Sequence, residues 1–184
     1  MNFSTEAQAQ KAAWVVLFLG LAVRVAISGQ FLMVPDETNY WQWSRYLALG
    51  YQDHPPMLAW TIWLSTTLFG QNELAVRLPA NLGITLAGAY TLLLAARLFT
   101  WRTAFHVSLL FQGILLFNGA ALIATPDSML LPCWAGACYH AARALKDNRL
   151  GQWLATGFWF AATVTRVVSV AVAPRLSVTV RVAK

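Results

Sequence analysis

Three carboxylates carry the strongest chemical signal in this chain. Asp36 and Glu37 follow directly on one hydrophobic span, and Asp127, after Thr125-Pro126, starts another. A carboxylate beside a sugar or alcohol hydroxyl takes its proton as a new bond forms, which is general-base work. A low-dielectric border raises the basicity of such a group. Ionisable residues are expensive at membrane depth, so they line a polar pocket or stand just outside the lipid. Cations that could meet an anion are His54, Arg45 and Arg77. His54 sits in the run Tyr51-Gln52-Asp53-His54-Pro55-Pro56, stiffened because each proline fixes φ and restrains the residue before it. Arg45 and Arg77 carry planar forks that match a phosphate. Plainer readings stand beside these. Asp36-Glu37 also reads as a solvated acidic end, Thr125 and Asp127 as helix caps, His54 as a lead-in to the next helix, and the two arginines as headgroup contacts.

The elements that must position these residues belong to a membrane. Hydrophobic residues make up 58% of the 184 positions and charged residues 11%, far from the balance of a soluble domain. The length leaves room for about five spans of roughly 20 residues. Spans are predicted at about 14–34, 74–98, 105–124, 129–145 and from 153 onward, and residues 14–34 are read as uncleaved rather than as a signal core. The outer loop, 35–73, contains an apolar stretch at 57–69 that is too short to cross at about 20 Å. Its hydroxyls Thr61, Ser65 and Thr66 fall on one side, so it reads as an amphipathic helix in the interface. The fold class is all-α, a polytopic helical bundle.

Positive charge orients the bundle. Lys11, Arg97, Arg102, Arg143, Lys146 and Arg149 fall at alternate span ends and become cytoplasmic together. Asp36, Glu37, Asp53, Glu73 and Asp127 then share the opposite side. Arg24 lies mid-span, about 18 Å along a helix from Asp36, and must face protein or water. The net charge of +6 is explained by loop residues, with no basic run to suggest nucleic acid. Cys133 and Cys138 would point about 140° apart on a helix, so they read as packing thiols. The three histidines show no ligand spacing. Residues 164–184 turn into a Val/Thr/Arg series without acids or aromatics, for which a truncated or frame-shifted end is one explanation. The division is therefore 1–163 and 164–184.

Four ordered motifs resemble bacterial glycosyltransferase family 39, related to the protein O-mannosyltransferases and the lipid A aminoarabinose transferases. They are Pro-Asp-Glu-x-x-Tyr-Trp from Pro35, Asp-His-Pro-Pro-Met from Asp53, Leu-Phe-Gly-x-x-Glu-Leu-Ala-x-Arg-Leu-Pro from Leu68, and Thr-Pro-Asp from Thr125. The resemblance covers roughly 14–160. It implies a GT-C fold, here its amino-terminal portion, in a bacterial inner membrane with the active site facing the periplasm. It implies a polyprenyl-phosphate sugar donor, a lipid, glycan or protein acceptor, and inverting transfer. Asp36 matches the catalytic acid, with Glu37 beside it, and Asp127 matches the second acidic motif. His54 matches a position expected to meet the donor phosphate, Arg77 matches the arginine after the interfacial helix, and Tyr40 matches an aromatic position of the first motif, expected in the substrate pocket. Arg45 and Arg77 remain donor-phosphate candidates through their planar forks. No cofactor is implied as required, although a divalent metal could bridge Asp36 and Asp127 to a phosphate. Relatives are several times longer and continue differently near 163–170, so this chain reads as one part of an active site.

Two other classes compete. A transporter or channel fragment predicts acids within spans and an inverted repeat. A non-catalytic subunit would use small residues such as Gly83, Ala87 and Gly88 to pack a partner helix.

Overall fold

The computed structural model describes residues 3–51 and 54–163; Asp53 and the tail 164–184 lie outside them. The described residues fold into helices α1 (Glu6–Ser28), α2 (Pro35–Ser44), α3 (Met57–Phe69), α4 (Glu73–Leu98), α5 (Trp101–Gly113), α6 (Leu115–Leu122) and α7 (Asp127–Asp147). A further helical run covers 150–163. Among them no strand occurs, as an all-α bundle requires.

Local chemistry sets most boundaries. Thr5, Asn72 and Thr100 each accept a backbone N–H of the following first turn, capping α1, α4 and α5. Gly70 stops α3 at φ 84°, a conformation natural to glycine alone. α1 begins earlier than the predicted span and ends at Ser28 rather than at residue 34. The reason is tertiary: the carbonyls of Ser28, Phe31 and Leu32 turn toward Arg77 instead of continuing a helix. The stretch after Pro35, predicted as loop, contains the ten-residue helix α2. Proline at its first position suits an end where the N–H would be unpaired.

α4 is the hub, packed against α1, α3, α5, α6 and α7. α1 and α4 are long and apolar enough to cross a membrane. The predicted third span is broken: α5 and α6 meet at Gly113-Ile114 with a bend of 60° and together qualify as one crossing. α7 has the length to cross, with 21 residues, but Arg143, Lys146 and Asp147 in its last turns make it less apolar. Close approach of α4 and α7 depends on Gly83, where a Cβ would collide with the Ser128 carbonyl oxygen. Gly88 similarly admits Leu17 and Phe111. These small residues therefore pack helices of this same chain.

The two ends of the bundle differ. At one, Glu6 accepts the Trp101 N–H at 2.8 Å and approaches Arg102, while Asp147 pairs with Arg97 at 2.6 Å. The start of α1, the end of α4, the start of α5 and the end of α7 thus meet there, carrying the basic residues. The acidic motifs sit at the other end, beside α3. That helix faces outward with Trp60, Trp63, Leu64 and Leu68, and inward with Leu58, Ile62, Ser65 and Thr66. Its hydroxyl side is thus turned to protein rather than to water. Thr61, Thr66 and Thr67 satisfy themselves on carbonyls one turn back.

Gly83→Ala should lower stability by about 1–3 kcal/mol, the usual cost of overpacking, whereas Gly119→Ala, with open space around its Cβ, should be neutral or stabilising. Unfolding of the purified protein in detergent compares the two.

Candidate active site

Glu37 and Arg77 form the centre of the acidic end. Both side chains have no solvent exposure. Arg77 donates through Nε to Glu37 Oε1 at 2.8 Å and through Nη2 to Oε2 at 2.7 Å. Its remaining N–H groups go to the carbonyls of Ser28 (2.6 Å), Phe31 (2.8 Å) and Leu32 (3.0 Å). All five guanidinium donors are thereby used. Glu37 accepts two more bonds, from the N–H of Val34 at 3.0 Å and of Ala124 at 2.9 Å, which fills its four acceptor positions. Burial works to raise the Glu37 pKa, but the Arg77 hydrogen bonds, the two backbone N–H groups and the Arg77 charge together hold it below the usual carboxylate value.

This geometry departs from the chemistry expected of these two residues, a phosphate contact for Arg77 and a catalytic role for Glu37. Arg77 cannot reach a phosphate without giving up bonds to protein oxygens, and Glu37 has no oxygen left for a substrate. A saturated, bidentate and buried pair is a mechanical element: it joins the α1–α2 passage, α4 and the α6–α7 passage at one point.

Asp36 and Asp127 are placed differently. Both are exposed, and each lies in the first turn of its helix, α2 and α7, where the macrodipole favours negative charge. The bond from Ala124 to Glu37 brings their two motifs together across 87 positions of sequence. Among the described residues Asp36 has no ion-pair partner.

An aromatic cluster begins one turn after Asp36 on α2. Tyr40, only 7% exposed, meets Trp43 and His54 at centroid distances of 5.4 Å each, and Trp43 stacks on Tyr51 at 4.7 Å. The Tyr40 hydroxyl lies 3.4 Å from His54 Nε2, and His54 Nδ1 is buried with no partner among the described residues. The Tyr51 hydroxyl donates to the carbonyls of Trp43 and Tyr46, fixing the loop on α2. Beneath this cluster lie Leu58, Ile62, Val76, Ala80 and Met129. Arg45 is exposed at the end of α2, its guanidinium 5.2 Å from the Trp41 ring centroid, a cation–π distance. Of the three expected cations, His54 thus stands beside the aromatic cluster, Arg45 on the surface and Arg77 inside. Among the described residues no group of three or more His, Cys, Asp or Glu side chains comes together as a metal site.

A set of neutral polar residues went unremarked in the sequence. The buried Ser28, Asn81 and Thr85 and the half-buried Gln112 and Asn118 line a polar track from Arg77 to Arg24, the two linked by Asn81 Nδ2 to Ser28 Oγ at 2.9 Å, the Thr85 hydroxyl to the Asn81 carbonyl at 2.8 Å and Arg24 Nη2 to Thr85 Oγ1 at 2.9 Å. The only signal available was that each is a lone polar residue in an apolar stretch.

Residues 53–178 match the family described as dolichyl-phosphate-mannose-protein mannosyltransferase. An undecaprenyl phosphate-alpha-4-amino-4-deoxy-L-arabinose arabinosyl transferase of Pseudomonas aeruginosa is 29% identical over 163 residues, 77% of this chain and 29% of its own length. The lipid A galacturonosyltransferase RgtD of Rhizobium johnstonii is 40% identical over 81 residues, 40% of this chain and 17% of its own. No solved structure matches. The chain belongs to this family of membrane glycosyltransferases, as the ordered motifs implied. It spans less than a third of the length of these two relatives.

The lowered Glu37 pKa makes stability depend on pH. Because the folded value lies below the unfolded one, the pair's contribution is complete above the ordinary carboxylate value and is lost as pH falls through the folded value. Glu37→Gln should flatten that acid limb. Arg77→Leu, which leaves a buried charge unpaired, should cost about 3–5 kcal/mol. Unfolding midpoints measured between neutral and strongly acidic pH check both.

Proposed function

We propose that the acidic end of this bundle is part of the active site of a transferase that moves a sugar from a polyprenyl phosphate to a lipid, glycan or protein acceptor. In this reading the acceptor oxygen attacks the anomeric carbon and the bond from that carbon to the phosphate oxygen breaks. The electron pair departs with the lipid phosphate, and the acceptor's proton passes to the Asp36 carboxylate. Asp127 orients the acceptor or the sugar from the start of α7. His54, with Arg45 beyond it, meets the departing phosphate. Trp43 offers an aromatic face to the sugar, backed by the buried Tyr40 ring. Glu37 and Arg77 serve by position, holding Asp36 and Asp127 toward one compartment.

The observation that carries this reading is the Ala124 to Glu37 hydrogen bond. It ties the Thr-Pro-Asp passage to the helix bearing Asp36, at the end of the bundle opposite the basic residues. By the positive-inside rule that end faces away from the cytoplasm, in a bacterial inner membrane the periplasm. No nucleotide is required in such a compartment, which suits a lipid-carried donor.

Transfer from a polyprenyl-phosphate sugar by the full-length gene product should fall on the order of 100-fold or more in Asp36→Asn, the scale of a lost general base, with the protein still folded. A near-normal rate in that variant would remove Asp36 from the chemistry.

A further inference from the structure

Arg24 is a charged residue within α1, 3% exposed, and no carboxylate accompanies it among the described residues. Its partners are neutral oxygens: Gln112 Oε1 at 2.6 Å, Asn118 Oδ1 at 3.1 Å and Thr85 Oγ1 at 2.9 Å. Two of these flank the break between α5 and α6. Asn118 also donates to the carbonyls of Gln112 at 2.7 Å and Ile114 at 3.1 Å. The Ile114 carbonyl keeps its helical partner, the Asn118 N–H at 3.3 Å, whereas the Gln112 carbonyl, at the bend, is met by the Asn118 side chain instead. Unpaired carbonyls in a bilayer are costly, so the broken span depends on Asn118, and Asn118 is oriented by Arg24. The far end of the same short helix is held by the other buried ion, through Ala124 and Glu37.

We infer that Arg24 is a positioning residue for the second acidic motif: it fixes the start of α6 as Glu37 fixes its exit, and the two together set where Asp127 stands relative to Asp36. A straight continuation of α5 through Gly113 would need no cation and would not carry residues 123–127 across to α2. The polar track gives the two anchors a common frame. Arg24 bonds Thr85, Thr85 bonds the Asn81 carbonyl, Asn81 bonds Ser28, and the Ser28 carbonyl receives Arg77. The link to catalysis rests on reading Asp36 and Asp127 as one site.

The test measures geometry and activity separately. In the protein reconstituted in lipid, with Cys133→Ala and Cys138→Ala, spin labels at Thr38→Cys and Ile123→Cys report the separation of the two motifs. A second pair, Thr38→Cys with Leu74→Cys, reports the Glu37–Arg77 junction. Arg24→Leu should shift or broaden the first distance and leave the second unchanged. Asn118→Leu should do the same, and decides the matter if Arg24→Leu does not fold. In the full-length gene product either variant should lower kcat roughly 10- to 100-fold, as a small misplacement of a reacting group does, with little change in donor KM. An unaltered first distance in the folded variants overturns the inference. A shifted distance with normal transfer also overturns it if Asp36→Asn and Asp127→Asn are inactive. If those two variants are active as well, Arg24 still positions α6, and it is the active-site reading that fails.

Discussion

The structure turns on one fully enclosed ion pair. Arg77 and Glu37 exchange two short hydrogen bonds, and every other donor and acceptor on both side chains is given to backbone. Desolvating two charges is expensive, and their attraction offsets that cost only when the remaining valences are filled. Here they are. The backbone groups that fill them come from the end of α1, the entry to α2 and the exit of α6, so the requirement for saturation fixes three chain segments against α4. The pair is best understood as an organiser of backbone, with the chemistry delegated to exposed neighbours.

That division of labour explains the alternation along Pro35-Asp36-Glu37. On a helix, adjacent residues point about 100° apart, so one carboxylate is buried as a junction while its neighbour faces outward. The same logic applies to the passage from α6 to α7, where the Ala124 N–H is spent inside and Asp127 is exposed. A break in the preceding span makes this passage possible. Apolar sequence alone would continue α5 straight, and its redirection depends on polar side chains replacing lost helical hydrogen bonds. Membrane helices tolerate such breaks where protein supplies those partners.

Much of the frame was legible beforehand. α3 and α4 follow the predicted stretches closely because Pro55-Pro56 and Gly70-Gln71-Asn72 punctuate the chain there. The shared side of the acidic motifs followed from basic residues at alternate ends, and in the structure those ends do meet. Other features depended on contacts distant in sequence. α2 is short, polar and aromatic, without a clean period, and its register is fixed by Glu37. The break at Gly113-Ile114 falls in an apolar stretch without proline, marked only by Gln112-Gly113. Arg24 has partners 61 to 94 positions away, none of them acidic, so charge matching could not find them. Arg77 is a phosphate candidate by its planar fork and its place at the acidic end, yet it lies inside. Its setting in Ala-Val-Arg-Leu-Pro, with apolar neighbours on both sides, was the available hint that it faces inward.

The central claim is that Asp36 and Asp127 open into a single compartment, opposite the basic end of the bundle. Impermeant thiol labelling of whole cells examines this directly, using Thr38→Cys and Ile123→Cys separately in a chain without its native cysteines. Both sites should react from outside, while a cysteine replacing Arg149 stays protected until the membrane is opened. Reaction of the first two positions from opposite leaflets would contradict the account at its root.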